Sequence, residues 1–313
     1  MRILIFVLVF FYSGIGFGQS VTRIIVPFAA GGVQDSLARS ISAELGTLLG
    51  RTVIVENRTG AGGTIGNALV AKSPADGSTL VLSAASHTIT GHVYAKLPYH
   101  PINDFTGVAH LGTVDYVLMI NAELPAKSVS ELISFLKKNP GKFNYASAGN
   151  GSATHLAMAY FCTMAGIEMV HIPFKATNEA VQEVMTGRAQ AVIASTIGAL
   201  PFLKEPRFRM LGVSGEKRSR FAPDLPTIAE SGLPGYAFDS WMALLGPAGI
   251  PKPTVDAINA AVGTLLKDPV ILGRLDRQGV EPQAMSPEVL NTLLRNDYEK
   301  MGKVVRAAGA RID

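Results

Sequence analysis

The sequence predicts an α/β protein of two lobes with a cleft between them. Three observations carry this. Short β-branched runs alternate with helical patterns in two successive blocks, the second starting near Pro125. Glycine- or hydroxyl-rich loops sit where strands give way to helices. Two apolar segments, 111–121 and 239–247, bracket the second block and read as crossings between the lobes.

In chain order, the first strand is Thr22-Arg23-Ile24-Ile25-Val26-Pro27. Leu37, Ile41, Leu45 and Leu48 then repeat at helical spacing over 36–49. A second strand at 53–56 leads through a glycine-rich loop to a helix over 63–72, and a third strand follows at 79–83. The second block opens with a helix over 128–138, where Ser128 at the N-cap and Glu131 form a capping box. Strands at 144–147, 170–173, 189–194 and 210–213 are interleaved with helices over 152–165 and 178–186. A Pro- and Gly-rich loop spans 221–236, and helical patterns over 253–267 and 286–307 finish the chain. The crossings assign 19–121 plus 241–313 to lobe 1 and 122–240 to lobe 2, with a hinge where the chain passes between them.

The start of the chain points to export. Met1-Arg2 is a short positive beginning, 3–12 is an apolar run and 13–18 is glycine-rich, the layout of a secretory signal peptide with cleavage after Gly18. The apolar run is shorter than the ~20 residues a spanning helix needs. Cys162 is the single cysteine, so stability in an oxidising compartment comes from packing and not from an internal disulfide. A chain 48% hydrophobic and 17% charged has apolar surface for two cores. The formal charge of +4 is spread without any Lys/Arg run, which argues against nucleic acid.

Four loops at strand–helix junctions can carry chemistry. They are Pro27-Phe28-Ala29-Ala30-Gly31-Gly32-Val33-Gln34-Asp35, Asn57-Arg58-Thr59-Gly60-Ala61-Gly62-Gly63, Ser83-Ala84-Ala85-Ser86-His87, and the stretch from Ala146 through Gly149, Gly151 and Ser152 to His155. In open α/β sheets such loops gather where ligands bind, and helix N-termini there attract anions without help from Lys or Arg. Asp35 reads as an N-cap or first-turn residue, Arg58 and Glu56 as an ion pair, His171 as structural and Cys162 as core. His155 is open between a ligand contact and a buried, hydrogen-bonded histidine. Enzyme patterns fail: Ile65 stands where a dinucleotide fingerprint needs its third glycine, and no Gly-x-Ser-x-Gly surrounds Ser147 or Ser152. The histidines show no metal-pair spacing, so no catalytic residue, metal or cofactor is expected.

The motifs Pro27-Phe28-x-x-Gly31-Gly32-x-x-Asp35, Val55-Glu56-Asn57-Arg58-x-Gly60-Ala61-Gly62-Gly63 and Gly149-x-Gly151-Ser152-x-x-His155 closely resemble the Bug family. These are the TctC-type substrate-binding proteins of tripartite tricarboxylate transporters. Pro226-Thr227-Ile228-x-Glu230-x-Gly232-Leu233-Pro234-Gly235 and Pro247-Ala248-Gly249-Ile250-Pro251 continue the likeness. The resemblance implies a periplasmic protein of the type 2, Venus-flytrap fold, with mixed sheets flanked by helices. It also implies a small organic acid ligand, held by backbone N–H groups and hydroxyls, and a membrane permease of the tripartite tricarboxylate type as partner.

The chain departs from the family pattern at Ala176, where glycine is usual, at Ala189-Gln190, and near Ala194-Ser195, where an Asp is often found. An Asp there would suit a ligand ammonium and Ser195 cannot supply that charge, so the expected ligand is an anion without an amino group. The expected contacts from lobe 1 are Phe28, the backbone at Gly31 and Gly32, N–H groups of Ala61 and Gly62, and Ser83 and His87. Lobe 2 is expected to add Asn150, Ser152, Thr154 and His155 at a helix start, with Lys175, Ala176 and Ser195 behind them. A monomeric binding protein is the reading; the alternatives are a ligand-presenting component of a sensing system and a secreted hydrolase.

Overall fold

The computed structural model describes residues 21–309, so the signal peptide expected at 1–18 lies outside the described residues. The chain forms two separate mixed sheets. The six-stranded sheet begins with β1 (Val21–Val26), flanked by β2 (Thr52–Asn57) and β3 (Thr79–Ala84), both parallel to it. Between these strands run α1 (Val33–Leu49) and α2 (Thr64–Ala71), the crossovers that parallel pairing demands. A further helix, α3 (Ser86–Val93), follows β3. Then β4 (Phe105–Val114) leads into β5 (Tyr116–Asn121), which already belongs to the other sheet.

The second block continues with α4 (Val129–Lys137), β6 (Asn144–Ser147), α5 (Ala153–Ala165), β7 (Val170–Pro173) and α6 (Thr177–Met185). After these come β8 (Ala191–Ser195), the single turn α7 (Thr196–Ala199) and β9 (Phe208–Val213). The chain returns to the first sheet with β10 (Ser240–Pro247), then α8 (Lys252–Leu265), α9 (Pro269–Asp276), β11 (Glu281–Pro282) and α10 (Pro287–Ala308). The strand orders are β11-β4-β10-β3-β1-β2 and β7-β6-β8-β5-β9. Each parallel group is joined by an antiparallel strand, β10 beside β3 in the first sheet and β5 beside β8 in the second.

The change of sheet falls at Asp115, earlier than the boundary expected after Asn121. The reason is pairing: Tyr116 lies opposite Ser195 and Val117 opposite Val213, so β5 extends the second sheet as soon as it begins. The C-terminal helices are not confined to the first lobe either. Leu290 and Leu294 of α10 pack with Trp241 and Leu245, whereas Met301, Val304 and Val305 pack in the core built on Leu118 and Phe161. Local signals behave as the residues require. The Ser128 hydroxyl accepts the Glu131 N–H at 3.2 Å, although the Glu131 carboxylate reaches back to the Lys127 N–H and not to that of Ser128.

Candidate ligand-binding site

Between the two sheets lies a cleft of about 800 Å³, within the ordinary range of small-molecule sites. Four helices begin at it. From the first lobe α1 brings Val33 and Gln34 and α3 brings Ser86; from the second, α5 brings Ala153 and α6 brings Thr177. First-turn N–H groups have no acceptor within their own helix, and the helix dipole places partial positive charge there. Two helices from each lobe therefore direct positive potential into one space. Lys175 adds a full charge at the rim, and no Asp or Glu among the described residues lines the cleft.

Buried side chains brace the loops. Gly31, at φ 84°, donates its N–H to Asp35 Oδ2 at 2.9 Å. Arg39 Nε and Asn57 Nδ2 donate to Asp35 Oδ1 at 3.0 and 2.9 Å, and Asn57 Nδ2 also reaches the Phe28 carbonyl. Burial alone would push the Asp35 carboxyl up. The bonds from Gly31, Arg39 and Asn57 outweigh it and hold the group below the usual carboxylate range. Asp35 is thus a first-turn brace for the loop, with Gly32 in the N-cap position. The expected Arg58–Glu56 ion pair is present at 3.0 Å.

The second-lobe loop is stitched by hydroxyls and imidazoles. Ser147 Oγ and His171 Nε2 share a 2.6 Å hydrogen bond, and the Gly149 N–H donates to Ser147 Oγ. Thr154 Oγ1 accepts the Ala148 N–H at 2.9 Å, His155 Nδ1 accepts the Gly151 N–H at 3.1 Å, and Ser152 Oγ caps α5 through the His155 N–H. The His155 ring stacks on His171 with centroids 3.9 Å apart. Burial, with His171 beside it, holds His155 down to about 4, so it is neutral at pH 7.

Phe28, Gly32 and Gly62 line the cleft from the first lobe, and Asn150, Ser152, Lys175, Ala176 and Ser195 line it from the second. Gly31 and Ala61 stand next to lining residues without lining it themselves. Ala61 is the one non-glycine residue at positive φ among those described, at 45°, so this loop holds local strain beside the cleft. Four further residues expected as contacts do not line this cleft. Ser83 Oγ is buried and donates to Asn67 Oδ1, so Ala84 faces the cleft in its place. His87 is enclosed by Phe105, Tyr99 and Trp241, and its Nε2 donates to the Pro101 carbonyl. Burial holds it down to about 4. Thr154 and His155 sit behind the loop, spent on its internal bonds.

Sequence reasoning missed the deep wall. Ile89, Thr90 and Val93 come from α3, whose Thr, Gly and His content gives weak helix propensity, and Tyr94 caps its C-terminal end. Val114, Tyr116, Ser240 and Met242 come from the strands at the crossing. The Tyr116 phenol is hydrogen-bonded with Ser240, and burial pushes it up to about 12. Asp115 lies between these lining residues without lining the cleft. Burial, then the nearby Glu281 and Asp239, push its carboxyl up to about 7. No group of three or more His, Cys, Asp or Glu side chains among the described residues is arranged to hold a metal ion.

Comparisons with known proteins agree with this architecture. Residues 37–310 match the family described as the tripartite tricarboxylate transporter family receptor, TctC. The UPF0065 protein in the tcbD-tcbE intergenic region of Pseudomonas sp. (strain P51) is 34% identical, over 90% of this chain and 84% of the relative. Among solved structures, R. palustris Rpa4515 with adipate superposes with a TM-score of 0.76 at 33% identity, covering 94% of this chain and 98% of that one. MatC (Rpa3494) from Rhodopseudomonas palustris, with bound malate, gives 0.71 at 31% identity, covering 91% and 98%. A match over most of the chain, joined to two mixed sheets facing a cleft, makes this chain a member of the TctC family of tripartite tricarboxylate transporter receptors.

Proposed function

We propose that this chain is an exported receptor that captures a small organic carboxylate between its lobes and hands it to a membrane permease of the tripartite tricarboxylate type. The observation that carries this is the convergence of four helix N-termini and Lys175 on a cleft with no acidic side chain. Such a site favours an anion and gives an ammonium no partner, in keeping with Ser195 at the end of β8. Relatives with bound adipate and malate support a carboxylate. The signal-like start supports export to the periplasm, and no helix among the described residues is long and apolar enough to cross a membrane. One chain supplies both walls, so a monomer suffices. Ligand bridging the walls favours the closed arrangement, a population shift about the hinge.

Catalysis by Ser152 lacks a base. His155 Nδ1 is occupied by the Gly151 N–H, and the neighbouring Ser147–His171 pair lies outside the cleft, with Ser147 fully buried.

Thermal unfolding with a panel of small acids and their uncharged amides tests the proposal. A bound acid at 100 times its Kd stabilises by about 2.7 kcal/mol, and its amide does not. Equal stabilisation by the amides, or none by any acid, refutes it.

A further inference from the structure

We infer that the ligand carries a single carboxylate on an apolar body, with the carboxylate at the mouth of the cleft and the body against its deep wall. This rests on the carboxylate reading above and narrows it. The cleft divides by burial into two chemically different parts. Its mouth is made of the exposed or half-exposed Gly32, Gly62, Asn150, Ser152, Lys175 and Thr177, and every anion-attracting group except the start of α3 belongs there. Its deep wall is made of Ala84, Ile89, Val93, Val114 and Met242, none of them more than 5% exposed.

The hydroxyls that punctuate the deep wall are already engaged. Thr90 Oγ1 donates to the His87 carbonyl at 2.8 Å, and Tyr116 is hydrogen-bonded with Ser240. A second carboxylate driven against this wall would lose its water and find no charged partner. Asp115 and Asp239, beside the wall residues Val114, Tyr116 and Ser240 in the chain, are themselves pushed towards the neutral form by burial, surroundings equally unfavourable to a second carboxylate. An amino group fares no better within the cleft, since no carboxylate lines it, and Asp115 rests against Gly215 away from the lining residues. A ring or hydrocarbon chain, by contrast, removes its own apolar surface and that of the wall from water together.

The two parts meet where the start of α5 faces α3. Gly151, with φ at 74°, lies so close to Val93 that a methyl group placed on it would stand 3.8 Å from the Val93 side chain. The start of α5 therefore abuts the apolar end of α3. A ligand whose carboxylate takes the α5 N-terminus has the Ile89–Val93 face beside its body.

Isothermal titration of the purified protein with 3-phenylpropionate, adipate, malate, phenylalanine and 3-phenylpropanamide decides the point. The expected result is 3-phenylpropionate binding at least tenfold more tightly than every other compound. Met242→Ala lowers its affinity about tenfold, the scale of a methylene or more lost from an apolar pocket. Val114→Thr, nearly the same shape with a hydroxyl added, lowers it as well and guards against a misfolded Met242 variant. Lys175→Ala weakens all the acids alike. Malate, adipate or phenylalanine binding as tightly as 3-phenylpropionate overturns the apolar-body inference and leaves the carboxylate reading standing. If no acid binds, or the amide matches its acid, both fall.

Discussion

The two lobes meet the cleft with different chemistry and are braced in different ways. In the first lobe, buried carboxylates do the bracing. Asp35 gathers Gly31, Arg39 and Asn57, and Asp297 of α10 accepts both the Thr88 hydroxyl, at 2.6 Å, and the Trp241 indole N–H, at 3.0 Å. That second brace fixes α3 against β10, and with it most of the deep wall. In the second lobe, hydroxyls and neutral imidazoles stitch one loop, and Asn150, Lys175 and Ala176 stand exposed. The difference separates two tasks. On the proposed reading, the first lobe serves as a preformed template for the body of a ligand, and the second as a lighter polar cover that completes the grip on its charge.

The strongest test of this contrast removes the brace of the template. Asp297→Ala leaves the Trp241 N–H without its acceptor inside a packed core, turns the Thr88 hydroxyl back on the Ala85 carbonyl, and costs about 3 kcal/mol. Urea unfolding measures it, and Asp297→Asn, which keeps one acceptor oxygen, costs less. A loss below 1 kcal/mol for the alanine variant would mean that α3 is held by packing alone.

The hinge between the lobes gives the next effect, in the pH dependence. The Asp115 carboxyl is raised from 3.8 to about 7 in the folded chain, so the fold binds an extra proton across that window. Its contribution is fully present below about pH 4 and is lost as pH rises through about 7. Asp115→Asn removes this term: the variant melts a few degrees above the parent at pH 8, and the advantage vanishes near pH 4. His87 and His155 work in the opposite sense. Held down to about 4, they support the fold above the ordinary histidine range and withdraw that support as pH falls from 6.5 towards 4. Melting curves from pH 4 to 8 separate the two signs.

The smallest expected change lies in the cover. Ser152→Ala removes the cap of α5 at a cost of about 1 kcal/mol. Because the same hydroxyl lines the cleft, affinity for a bound acid falls in parallel. Destabilisation with unchanged affinity would show that Ser152 serves the helix alone.

The loops of the cleft were legible because glycine and cap residues announce where strands end and helices start. Phe28, Gly32, Gly62 and Ser152 follow from that punctuation. The differences from the observed lining are differences of facing. Ser83 and His87 lie in the right segment, yet Ala84 and Ser86 beside them line the cleft, because one residue turns a strand side chain to the opposite face and a helix residue through about 100°. The deep wall was illegible for another reason: Val114, Ile89 and Met242 look like core residues, and only the gap between the sheets makes them a binding surface. The sheet boundary at Asp115 was hidden similarly, since β4 and β5 read as one apolar run.

The path of α10 bears on how the molecule comes apart. One end of this helix is embedded in the core around Trp241 and the other in the core around Phe161. Neither half can melt while its neighbour keeps a complete interior, so the loss of one exposes apolar surface on the other. Heating should therefore give a single cooperative calorimetric peak in place of two resolved ones, despite the two separate sheets.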